Sequence, residues 1–186
     1  MEKVLITGAS GYIALHCIVE ALKSGYSVKG SLRNMDREDE VRQAIKKETD
    51  DSNLEICKLN LLDDEGWNDA TRDCDYLLHT ASPFITYEPK DENELIKPAK
   101  EGTMRALRAA NKAGIKKVVL TSSVAAIAYG HEKKLVTEND WTDTTQDVGA
   151  YTKSKTLAEK AAWDFIGSDE NNSMVMTTIH PGFVFG

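Results

Sequence analysis

The sequence predicts an α/β fold, a doubly wound parallel sheet with helices on both faces. Three observations carry that expectation. Short apolar runs alternate with helix-patterned stretches over all 186 residues, without linkers, repeats or low-complexity tracts. The first unit, K-V-L-I-T-G-A-S-G-Y-I-A from Lys3 to Ala14, reads as strand, glycine turn, helix. The polar and hydroxyl-bearing corners that follow all fall at strand ends, where ligands of such sheets bind. One domain spanning residues 1–186 is expected.

Taken in order, Val4, Leu5 and Ile6 form an apolar run suited to a strand buried on both faces. From Tyr12 an amphipathic helix ends at Ser24-Gly25, and Tyr26 to Leu32 reads as the second strand. Arg33 to Thr49 is charged and helix-prone, with Val41, Ala44 and Ile45 as its apolar stripe. Leu54 to Leu59 alternates as a third strand, Glu65 to Arg72 is a short helix, and Asp75 to Thr80 is the fourth strand. A loop with Pro83 and Pro89 precedes a long helix from Leu95 to Ala113, closed by Gly114. Lys117 to Thr121 is the fifth strand, Ala150 to Ile166 a helix and Met174 to Ile179 the sixth strand.

The opening unit has a chemical meaning beyond its fold. Strand, glycine turn and helix aim a helix N-terminus, with its free N–H groups and positive dipole end, at a diphosphate. Gly8 permits the tight turn, Gly11 lets backbone approach a ligand, and small Ala14 keeps the helix close to the strand. The spacing is G-x-x-G-x-x-A rather than G-x-G-x-x-G, and by itself it also suits a corner that merely packs well.

The end of the second strand bears on the choice of dinucleotide. An acid there accepts from a ribose 2′-hydroxyl, whereas a cation suits a 2′-phosphate. Here the strand ends S-L-R-N, with no acid before Asp36, and Arg33 offers a planar fork of donors. The expected cofactor is NADP(H) rather than NAD(H).

A second constellation joins Ser123, just beyond the fifth strand, to Tyr151 and Lys155. The four-residue spacing places the last two on one helix face. Hydride transfer to a carbonyl builds negative charge on its oxygen, which a proton donor must relieve. Free tyrosine, with a pKa of about 10, is a poor acid–base group at neutral pH. A neighbouring ammonium favours tyrosinate and lowers that value. Ser123 would orient the substrate oxygen, Tyr151 would exchange the proton, and Lys155 would tune the tyrosine and hold ribose hydroxyls.

Composition bounds the alternatives. Apolar residues at 41% and charged residues at 28% suit an ordinary globular chain. A net charge of −7 argues against a nucleic-acid groove or an anionic membrane as partner. Cys17, Cys57 and Cys74 are scattered, which suggests a reducing compartment, and a first strand at residue 3 leaves no room for a leader; a cytoplasmic location is expected. No metal set is expected from the widely separated His79, His131 and His180. Cys57 and Cys74 read as small hydrophobes, and Tyr129 and Trp141 either line a substrate pocket or cap the sheet edge.

These stretches together resemble the extended short-chain dehydrogenase/reductases, in the branch of dihydroflavonol, cinnamoyl-CoA and carbonyl reductases. The likeness rests on the glycine turn, S-L-R-N, H-T-A-S-P-F (His79–Phe84), P-A-K-E-G-T (Pro98–Thr103) and V-V-L-T-S-S-V-A-A. It continues through Tyr151–Trp163 and H-P-G-F-V-F-G (His180–Gly186). It implies a Rossmann-like domain that reduces an aldehyde or ketone with NADPH, through Ser123, Tyr151 and Lys155. The cofactor set it implies is Thr7, Gly8, Ser10, Gly11, Tyr12, Ile13, Arg33, Asn60, Leu61, Thr80, Ala81, Ser82, Thr121, Tyr151, Lys155, Pro181, Gly182 and Val184.

Two positions depart from the pattern. Asn60-Leu61 replaces an Asp-Leu pair near the adenine, and Arg105 stands where asparagine is common. Relatives also continue well past H-P-G-F-V-F-G into a substrate lobe, so a fragment is expected rather than a short protein that lost that lobe, and a sheet ending on an apolar strand would expose surface or recruit a partner. The rival readings are an NAD-dependent nucleotide-sugar epimerase or dehydratase, and a dinucleotide-binding sensor or inert fragment without catalysis. A small carbonyl compound is the expected partner, to a monomer or homodimer.

Overall fold

Six parallel strands lie in the order β3-β2-β1-β4-β5-β6. They are β1 (Lys3–Ile6), β2 (Ser27–Leu32), β3 (Leu54–Lys58), β4 (Tyr76–His79), β5 (Lys117–Thr121) and β6 (Val175–Ile179) in the computed structural model, which describes residues 1–85, 87–171 and 173–185. Val4 pairs in register with Val28 on one side and Tyr76 on the other, so all strand carboxyl ends share one edge. The chain reverses direction between β1 and β4. That switch opens a crevice at the strand ends, the place where open α/β sheets take ligands.

The helices are α1 (Tyr12–Lys23), α2 (Glu38–Lys46), α3 (Trp67–Thr71), α4 (Asn93–Ala113) and α5 (Ala150–Ile166). Successive strand residues point to opposite faces, which separates two cores. Val4, Ile6, Val28 and Leu32 pack under α1 and α2, around Ile18, Val41 and Ile45. Leu5, Leu77, Val118, Leu120 and Met176 pack under α3, α4 and α5, around Trp67, Leu107 and Phe165. Ala99 and Ala106 of α4 and Ala158 and Ala162 of α5 are buried; such small side chains allow the two helices to pack closely.

The order and type of every element follow the sequence pattern, but several boundaries move. The helix expected over Arg33–Thr49 is shorter, because Asn34 accepts from the Asp36 N–H at 3.1 Å and forces a 3-10 turn at Met35–Arg37. The helix expected over Glu65–Arg72 shrinks to α3, because Gly66 sits in the left-handed region at φ 83°. Tyr26, expected in β2, precedes it and sets its ring edge-on to Tyr76 at 6.0 Å. On the α1 side of β6, Val175 and Ile179 are 60% and 49% exposed, the open surface expected of the last apolar strand.

Candidate active site

The glycine corner is tied to both neighbouring strands. Gly8 lies at φ 74°, and a Cβ there would come within 3.1 Å of the Ala81 Cα, so only glycine fits both conformation and space. Its N–H donates to Ser31 Oγ at 3.2 Å, and the Ala9 N–H to the Ser31 carbonyl at 2.8 Å, which pins the corner to the end of β2. Gly11 precedes α1 without any side-chain cap, and the first turn of α1 carries no acid. The N-terminus of this helix therefore presents uncapped N–H groups at the switch point, a fit for a diphosphate. Ser10 and Ile13 are half-buried beside it, and Tyr12 is exposed with its ring edge-on to His16.

Thr7 holds this corner from below. Its Oγ accepts from the Thr80 and Ala81 N–H groups at 3.1 and 3.0 Å. Its own hydroxyl hydrogen is then left for His79 Nδ1 at 2.9 Å, so His79 is the Nε2–H tautomer. Burial without a partner for Nε2 pushes the His79 pKa down to about 3, with the Lys155 charge adding to the shift. Thr7, named above among the cofactor residues, is fully buried and spends its side chain on the β1–β4 junction. Thr80 donates its hydroxyl to the Thr7 carbonyl, while Ala81 and Ser82 continue along the crevice, half-buried.

The second constellation comes together at the ends of β5 and α5. Ser123 begins a short 3-10 turn, and its Oγ accepts from the Ala125 N–H at 3.1 Å, leaving its hydroxyl hydrogen free to donate. Lys155 is only 8% exposed, and its Nζ donates to the Thr121 carbonyl at 3.2 Å. Desolvation pulls its pKa down to about 8, and the Glu159 carboxylate opposes that fall. Tyr151 stands one turn before Lys155, half-buried, with Phe84 edge-on to its ring at 5.7 Å. Its hydroxyl makes no hydrogen bond among the described residues.

The cation at the β2 end is resolved by its neighbours. Arg37 forks onto Glu40 at 2.8 and 2.7 Å, whereas Arg33 is exposed and forms no ion pair among the described residues. Asn60 does not project freely. Its Oδ1 accepts from the Leu62 N–H at 3.1 Å, and its carbonyl from Trp67 Nε1 at 3.2 Å. Leu61 packs on Gly102 of α4, where a Cβ would lie 2.6 Å from Leu61 Cδ2. Arg105, which received no role above, binds the Leu61 carbonyl at 2.8 Å and the Asp64 carboxylate. It pins the loop that carries Asn60 and Leu61.

One group at the site, Glu159, escaped the sequence reading. Glu159 is 2% exposed and receives hydrogen bonds from Ser122 and His180. The only signal for it was its place four residues after Lys155 and eight after Tyr151. Pro181 is half-buried and its carbonyl accepts from the Val124 N–H at 3.0 Å, which sets the β6 end beside Ser123. Gly182 and Val184 beyond it are exposed, and Gly186 lies outside the described residues. Tyr129 lines a cleft of about 530 Å³ with His131 and Gln146, whereas Trp141 lies under the Lys160 ammonium at 5.2 Å. Burial raises the Cys57 thiol to about 11 and Cys74 also upward, so both stay protonated at neutral pH. No three His, Cys, Asp or Glu residues group as metal ligands among the described residues, and no described helix is long and apolar enough to cross a membrane.

The chain is 38% identical over 192 residues to a cinnamoyl-CoA reductase of Medicago truncatula, covering 98% of this chain and 58% of that protein. It is 33% identical to a bifunctional dihydroflavonol 4-reductase/flavanone 4-reductase of Malus domestica, covering 55% of its length. Among solved structures, the yeast methylglyoxal/isovaleraldehyde reductase Gre2, complexed with NADPH, superimposes with a TM-score of 0.85 at 31% identity. That match covers 99% of this chain and 58% of Gre2. The chain thus spans little more than half the length of the relatives it matches. The model of the NAD dependent epimerase/dehydratase family matches residues 4–186, and the chain belongs to that family.

Proposed function

We propose that this chain is the cofactor-binding and proton-transferring part of an NADPH-dependent carbonyl reductase acting on an aldehyde or ketone. The observation that carries the reading is Lys155: a nearly buried ammonium fixed to the Thr121 carbonyl, one helical turn from Tyr151 and next to the strand end bearing Ser123. The reductases it resembles, one of them complexed with NADPH, support the same class.

The residues fit the dinucleotide. The uncapped N-terminus of α1 and the glycine corner would take the diphosphate, and the exposed Arg33 the 2′-phosphate. When bound, NADPH supplies the hydride. Ser123, whose oxygen already accepts from a backbone N–H, would donate its hydrogen to the carbonyl oxygen. Tyr151 would hand its phenolic proton to the alkoxide that develops there, relieving the charge as it forms. Lys155 has N–H donors left over after Thr121, for a ribose hydroxyl, and its charge makes Tyr151 the stronger acid.

The test is Tyr151→Phe in the full-length protein. NADPH binding should persist, and turnover on aldehydes and ketones should fall by about 10²–10⁴-fold. Unchanged turnover would overturn the assignment.

A further inference from the structure

Glu159 is a carboxylate with almost no access to water, and two of its three partners among the described residues, Ser122 and His180, stand at the strand ends of the site. Ser122, adjacent to Ser123, donates its hydroxyl to Oε2. His180 Nε2 lies 2.9 and 3.0 Å from the two carboxylate oxygens, and Trp163 Nε1 donates to Oε1 at 3.3 Å. Ser122 and His180 end adjacent strands, β5 and β6, and Glu159 belongs to the helix that crosses over them. Backbone bonds complete the joint: the Ser122 N–H donates to the Ile179 carbonyl at 2.8 Å, and the Val124 N–H to the Pro181 carbonyl at 3.0 Å. A buried carboxylate needs such donors, but a fold seeking only stability does as well with apolar packing there. The carboxylate therefore calls for a reason beyond stability, and its place on α5 gives one.

Tyr151, Lys155 and Glu159 follow at intervals of four on one face of α5. Lys155 and Glu159 also line one cavity of about 10 Å³, room for about one water, with Ser82 and Thr121. Among the described residues, the titratable groups that act on Lys155 are Glu159 from its own helix and His79 from β4, with Tyr151 one turn before it on the same helix. His79 stays neutral, so Glu159 is the negative charge that opposes the desolvation of Lys155.

We propose that Glu159 is a positioning residue for the reaction. It clamps the ends of β5 and β6 to α5, and so fixes Ser123 and the Pro181 corner relative to Tyr151. It also sets a carboxylate one helical turn from Lys155, lining the same small cavity, and so favours the ammonium form. This role rests on the carbonyl-reductase reading above, and the two can fail separately.

The experiment replaces Glu159 in the full-length protein and follows two properties. Glu159→Gln keeps an acceptor for Ser122 and removes the charge. The Lys155 pKa, read by NMR of ¹³Cε-lysine in the protein without cofactor, should fall by at least about half a unit. The basic limb of the kcat–pH profile should move down with it, because Lys155 then loses at a lower pH the charge that tunes Tyr151. A Lys155 pKa unchanged in Glu159→Gln overturns the proposal, whether or not carbonyl reduction is the activity. Turnover surviving in Tyr151→Phe overturns the reading of function instead, and the NMR result then still decides the electrostatic role.

Should Glu159→Gln fail to fold, Ser122→Ala tests the clamp by itself. It leaves the charge in place and cuts the strap to β5. The expected result is kcat lowered by about tenfold with the Lys155 pKa unmoved, since a displaced Ser123 loses the aim of its hydrogen bond. Wild-type kcat in that variant overturns the clamp.

Discussion

Lys155 Nζ donates to the carbonyl oxygen of Thr121 across 3.2 Å, from the middle of α5 to the last residue of β5. The bond fixes a cation at the carboxyl edge of the sheet, in a place dry enough to cost it part of its proton affinity. Its pKa falls from an ordinary 10.5 to about 8. The folded protein therefore loses this charge as pH rises through about 8, well before an exposed lysine would. Turnover should decline above that pH, with kcat following a single ionisation, and Lys155→Met should abolish the limb together with most of the rate. A kcat profile flat to pH 10 would show that the ammonium is not required.

Arg33 gives a prediction about coenzyme choice. It is exposed and forms no ion pair among the described residues, while its neighbour Arg37 is committed to Glu40. Arg33→Ala should weaken NADPH by about 10–100-fold, the worth of about 1.5–3 kcal/mol for hydrogen bonds to a charged group, and leave NADH nearly unchanged. Tryptophan quenching during titration reads both constants. Equal loss for the two nucleotides would move the 2′-phosphate contact elsewhere.

His79 makes the fold sensitive to acid. Its folded pKa, about 3, lies below the ordinary 6.5, so the unfolded chain takes up a proton that the native chain refuses. The stabilisation from this group is complete above about pH 6.5 and is lost as pH falls towards 3, by at most about 1.4 kcal/mol per unit. Urea midpoints should fall less steeply between pH 6.5 and 4 in His79→Gln than in the parent. Parallel curves would mean that the histidine finds its proton in the native state.

Gly8 should tolerate no side chain. Gly8→Ala meets both a left-handed φ of 74° and the Ala81 backbone at 3.1 Å. A loss of about 1–3 kcal/mol in stability is expected from the strain, with NADPH affinity reduced because the corner and α1 shift together. Gly114→Ala is the comparison: it shares the φ, at 80°, but a Cβ there meets nothing within 4 Å. It should lose stability alone, and nucleotide affinity falling equally in both variants would detach the corner from the ligand.

Local chemistry was legible in the chain wherever it repeats at a fixed spacing. Val4-Leu5-Ile6 had to be a strand buried on both faces, Gly8 and Gly11 a turn, and Tyr151 and Lys155 neighbours on one helix face. Those properties depend on residues a few positions apart, and the backbone geometry decides them. Asn34, Gly66 and Tyr26 moved element ends because one side-chain cap, one left-handed residue or one ring contact outweighs propensity at a boundary.

What tertiary structure alone decided is who meets whom across the sheet edge. That Thr7 would spend its hydroxyl on Ala81 and His79, Arg105 on the Leu61 loop, and Glu159 on Ser122 and His180 depends on pairs 21 to 74 residues apart. No local pattern encodes such pairs. They arise because a buried polar group costs free energy until it finds a partner, and only the folded sheet determines which partner is within reach.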